Sequence, residues 1–86
     1  MKIKRELMKR EIAGEYFLVP VGKTVYDANG LFVLTDVGAF LWDRLPDAHD
    51  ADDLVHAVLE EYDVTEATAR ADIEVFLEKL RSMEIL

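Results

Sequence analysis

Three side chains in this 86-residue sequence have types and spacing that could do chemistry. His49, Asp53 and His56 fall at offsets that share one side of a helix, and two imidazoles with one carboxylate are a donor set that zinc accepts. Against that reading, acids are dense in this part of the chain and His49 precedes the residue expected to cap the helix. The alternative is an exposed pair of histidines with no metal. Nucleophilic chemistry has less to work with. The one serine, Ser82, closes the last helix, and no Ser–His–Asp arrangement is suggested. The absence of cysteine excludes disulfides, thiolate zinc sites, intrinsic iron–sulfur clusters and a thiol nucleophile. Gly14, Gly22, Gly30 and Gly38 are scattered, so they form neither G-x-G-x-x-G nor a Walker loop for phosphates. No catalytic, metal or cofactor site is expected, and the chain reads as a binding protein rather than an enzyme.

The charge distribution narrows the choice of partner. Net charge is −8, with five basic and two acidic side chains over residues 1–11, but six acids and no Lys or Arg over 50–63. Affinity for phosphate backbones comes from Lys and Arg, so nucleic acid is not an expected partner. No apolar run approaches the ~20 residues needed to span a bilayer, and the basic start lacks the apolar stretch of a secretory signal. A soluble, cytoplasmic protein of one domain, residues 1–86, is the expectation.

The positioning elements read as strands followed by helices. Leu7 to Ile12 and Glu15 to Pro20 flank Ala13-Gly14, a compact turn, and predict an antiparallel hairpin. A loop follows, and its Asn29-Gly30 pair favours positive φ and delivers the chain into a third strand, Leu31 to Leu34. Thr35 can cap a first helix, with Asp36 at the positive end of its dipole, Val37, Phe40, Leu41 and Leu45 at helical spacing, and Pro46 ending it. A second helix runs from a cap near Asp50 to about Tyr62, burying Leu54, Val55, Val58, Leu59 and Tyr62. The third opens at Thr65 and continues to about Met83, with Ile73, Phe76, Leu77 and Leu80 inward and Ala69 allowing close approach. Phe40 and Trp42 fit either the core or a ligand platform.

Strands followed by a helix–turn–helix suggest a small winged-helix-like α+β domain, a three-stranded antiparallel sheet followed by three helices. A DNA-binding role conflicts with the charge of the last helix, where five acids between Glu66 and Glu84 outnumber Arg70, Lys79 and Arg81.

Over nearly its whole length the chain resembles the PqqD-like proteins, the recognition elements for ribosomally made precursor peptides. The resemblance rests on "VPVG" (Val19 to Gly22), "NGLFVLTDVGAFLWDRL" (Asn29 to Leu45), "DLVHAVLEEYDV" (Asp53 to Val64) and "ADIEVFLEKLRSMEIL" (Ala71 to Leu86), in that order and spacing. Thr35 stands where the family often has Asn, and Pro46-Asp47-Ala48 replaces its frequent Asp-Gly or Glu-Gly. The resemblance implies a domain that binds the leader segment of a precursor peptide and presents it to a modifying enzyme, usually a radical S-adenosylmethionine (SAM) protein. It implies a leader added as a strand beside Leu31, Phe32, Val33 and Leu34, resting against the third helix. There Ala69, Asp72, Ile73, Phe76, Lys79 and Leu80 are candidates; periodicity leaves open which of them face a groove and which the core. An apolar strand with a free edge suits such a peptide, and it also permits a homodimer through that edge. The alternative function is a winged-helix adaptor or transcriptional regulator working through a protein partner.

Overall fold

The computed structural model describes residues 1–21 and 32–86. The loop turn at Asn29-Gly30 and the first residue of the expected third strand, Leu31, lie outside the described residues. The architecture is α+β. Strands β1 (Leu7–Ile12), β2 (Glu15–Pro20) and β3 (Phe32–Leu34) form an antiparallel sheet in the order β1-β2-β3. Helices α1 (Asp36–Arg44), α2 (Ala51–Glu61) and α3 (Glu66–Ser82) follow.

Side-chain alternation explains why the sheet is covered on one face. Lys9 pairs with Leu18 and Leu18 with Phe32, while Tyr16 pairs with Leu34; this face turns inward, and Leu18 and Leu34 join the core. The intervening residues face the other way. Met8 lies opposite Val19, Ile12 opposite Glu15, and Phe17 between Arg10 and Val33, so the outer face of the sheet is largely apolar with one cation and one acid. Inward, the core gathers Leu41 and Leu45, then Leu54, Val55 and Val58 of α2, then Ile73, Leu77 and Leu80 of α3. Trp42 is buried with them, so it belongs to the core rather than to a platform. Phe40 is half-buried and meets the Tyr62 ring edge-on at 5.4 Å between centroids.

Each helix starts at the residue whose side chain can satisfy its orphan N–H groups. Thr35 Oγ1 accepts from Gly38 N at 3.0 Å, Asp50 Oδ1 from Asp53 N at 3.1 Å, and Thr65 Oγ1 from Thr68 N at 3.2 Å. The first α-helix ends at Arg44, just ahead of Pro46. The chain then tightens into a 3-10 turn over Leu45–Asp47, with Pro46 in the first turn, where a missing N–H costs nothing.

The hairpin turn carries the conformation that sequence composition would assign to other residues. Ala13 has φ 53° and Gly14 φ 82°, both left-handed, as the two central positions of a type I′ turn require. Glycine takes that region freely, whereas an alanine there costs ~1–2 kcal/mol. Ala13→Asn, which retains a side chain tolerant of positive φ, is expected to raise unfolding free energy by about 1 kcal/mol in urea denaturation.

Candidate functional site

Because the sheet order is β1-β2-β3, one side of β3 pairs with β2, and no strand among the described residues pairs with the other. That free edge borders a groove of about 380 Å³. One wall is β3 itself, continuing through Thr35, Val37 and Gly38 at the start of α1. The opposite wall is a single stripe of α3, Asp72, Val75, Phe76 and Lys79, whose offsets of three and four residues bring them onto one side of the helix. Leu41 also contributes to the lining.

Two contacts draw the walls together. Lys79 Nζ stands 5.9 Å from the centre of the Phe32 ring, a cation over an aromatic face. At Gly38 the backbone passes so close that a Cβ would stand 3.2 Å from Thr35 Oγ1 and 3.6 Å from Phe76 Cε1. A hydrogen in that place lets the rim of α3 approach the capped end of α1. Large apolar side chains exposed on the two walls are Val33, at 59% of its full exposure, and Val75, at 62%. They exceed every other exposed large apolar side chain among the described residues, and both border the same groove. An isolated exposed valine means little, but an exposed valine on the α3 wall, beside a strand edge that no described strand pairs, is a surface suited to an extended chain.

The sequence-derived candidates divide cleanly. Phe32, Val33, Leu34, Asp72, Phe76 and Lys79 line the groove. Ala69, Ile73 and Leu80 are buried in the core and are not among the lining residues. Leu31 lies outside the described residues. Thr35, Val37, Gly38, Leu41 and Val75 were absent from the sequence candidates. Val75 was within reach of the spacing argument, since it follows Asp72 by three and precedes Lys79 by four, but an apolar residue beside Glu74 reads as an isolated surface valine.

The histidine–aspartate pattern has a local explanation. Asp53 Oδ2 accepts from His49 N at 2.8 Å while Asp53 N donates to Asp50, a reciprocal arrangement like a capping box that occupies the carboxylate at the start of α2. Among the described residues no group of three or more His, Cys, Asp or Glu is disposed to hold a metal ion. No described helix is long and apolar enough to cross a membrane. On the hairpin side of α1, a second and more polar hollow is crossed by the ion pair of Lys9 with Asp43.

Comparison with known proteins agrees with this geometry. The solved structure described as "TbiB1 in Complex with the TbiA(beta) Leader Peptide" superposes with a TM-score of 0.76 at 28% sequence identity, covering 100% of this chain and 94% of that one. No curated protein matches the sequence. The family model for coenzyme PQQ synthesis protein D matches residues 15–86, from the first residue of β2 through α3 to Leu86. With most of its length so matched, and with the three-stranded sheet and three helices in place, the chain belongs to the PqqD family.

Proposed function

We propose that this protein binds the leader segment of a ribosomally synthesised precursor peptide as an added strand along β3, and presents it to a modifying enzyme of the radical SAM class. The observation that carries the reading is the edge of β3, unpaired among the described residues, beside an apolar groove closed by α3. An extended peptide offers N–H and C=O groups to that edge, and its alternate side chains turn toward Val75 and Phe76. Membership of the PqqD family and the leader peptide bound by the TbiB1 neighbour support the same reading; the radical SAM partner rests on the family resemblance. On this reading the protein performs no catalysis, is confined to the cytoplasm and is one domain. The same edge can accept β3 of a second copy, so self-association and leader binding compete for it.

The direct test is calorimetric titration with synthetic peptides copied from short reading frames beside the gene. One of them is expected to bind with Kd about 1 μM or tighter, about −8 kcal/mol. A folded protein that binds none of them overturns the proposal. Affinity is expected to survive chelation and the His49→Ala/His56→Ala double substitution; loss in either would return a metal to the site.

Strand geometry supplies a sharper measurement. Phe32 and Val33 pair with Leu18 and Phe17, and successive residues turn their main-chain groups to opposite sides. Proline deletes the donor wherever it is placed. Phe32→Pro and Val33→Pro should therefore separate, one largely unfolded through loss of a ladder bond and the other folded but a weak binder, with the alanine variants as side-chain controls. Circular dichroism followed by calorimetry distinguishes them. Two folded proline variants with undiminished affinity would remove β3 as the docking edge.

The two stripes of α3 should separate as well. Ile73→Ala, deep in the core, is expected to cost about 2–5 kcal/mol of stability. Val75→Ala is expected to leave stability within about 0.5 kcal/mol. Peptide affinity should fall about tenfold in the Val75 variant, since burial of a valine side chain is worth ~1.5 kcal/mol.

A further inference from the structure

The groove wall on α3 is apolar in the middle and carries opposite charges toward its ends. Asp72 and Lys79 stand two turns apart on the stripe, about 10.5 Å along the axis, a span that an extended peptide covers in about three residues. Between them lie Val75 and Phe76. Both charged residues are exposed, and neither takes part in an ion pair among the described residues. Arg70, also on α3, is engaged with Asp52 at 2.8 Å; Lys9 holds Asp43 and Arg5 holds Glu84. Lys79 is placed over Phe32, toward β3 and the groove. On a chain of net charge −8, this cation at a groove is a local exception to the prevailing sign.

Resting on the docking reading above, we propose that Asp72 and Lys79 select the charge order of the docked segment. The preferred peptide carries a basic side chain toward Asp72, an acidic side chain toward Lys79, and an apolar side chain between them for Val75 and Phe76. The unpaired strand edge bonds to any backbone, so it supplies affinity without sequence information. Charges at the ends of an apolar stripe supply discrimination, because a segment lying in the reverse order sets like charges against each other.

The test pans a displayed library of random peptides of about ten residues, ~33 Å when extended, on the full chain and on folded Lys79→Glu, Lys79→Gln and Asp72→Lys variants. Wild type is expected to enrich peptides with an acid and a base flanking an apolar residue. The acid should give way to Lys or Arg on Lys79→Glu and lose its preference on Lys79→Gln; the base should become an acid on Asp72→Lys. The best wild-type peptide should bind Lys79→Glu about tenfold more weakly and regain affinity when its acid is changed to lysine. That difference should shrink as ionic strength rises from about 0.05 to about 0.5 M, over which screening shortens severalfold. Enriched peptides with the same charges on every variant would overturn the charge selection while leaving strand docking intact. Failure of wild type to enrich any peptide would instead overturn the docking reading, and the charge selection with it.

Discussion

The rotational setting of α3 about its own axis is the constraint on which the groove depends. At about 100° per residue, Ala69, Ile73, Leu77 and Leu80 fall within one arc, and Asp72, Val75 and Lys79 fall within the neighbouring arc. Phe76 lies at the border, buried yet lining the groove. Burial of the first set against α2 and the sheet is the large energetic term, because each buried aliphatic side chain contributes ~1.5–3 kcal/mol. Once that set is seated, the second is turned toward β3 without any further instruction. The groove wall is thus a by-product of core packing, and its residues are free to vary in chemistry as long as the inner arc stays apolar.

The short β3 fits the same logic. Three described residues pair with β2 on one side, and Leu34 anchors the strand in the core while Thr35 immediately caps α1. The chain leaves the strand and enters a helix with no spacer. The start of α1 therefore contributes to the same wall as β3, and Gly38 admits the close approach of Phe76.

Much of this was legible in the sequence. The hairpin boundaries coincide with the residues that alternate around Ala13-Gly14, and the three capping residues Thr35, Asp50 and Thr65 are where composition places them. The third strand was identifiable as a sheet edge because it is apolar and no later segment has strand character to pair with it. Hydrophobic periodicity identifies an inward face only by apolar content, so it could not assign Ala69, Ile73 and Leu80 to the core while separating Phe76 as a border residue. That distinction depends on the distance between α3 and β3, a tertiary quantity. Val75 escaped for a related reason, since exposure of a lone valine acquires meaning only when the edge of β3 is found across the groove. The 3-10 turn after Arg44 was hidden because proline signals that a helix cannot continue in its interior, yet fits the first turn of a new one.

The outer side of the sheet bears on how the molecule behaves in a crowd. Met8, Ile12, Phe17, Val19 and Val33 form an apolar field with Arg10 and Glu15 among them, turned away from the core. Two copies meeting through such faces would release ordered water and gain free energy, and a field of this kind favours adhesion. What opposes it is a long-range term carried elsewhere on the molecule, the −8 net charge concentrated on the helical side. Colloidal stability is therefore delegated: the acidic helices keep copies apart so that the sheet can remain apolar.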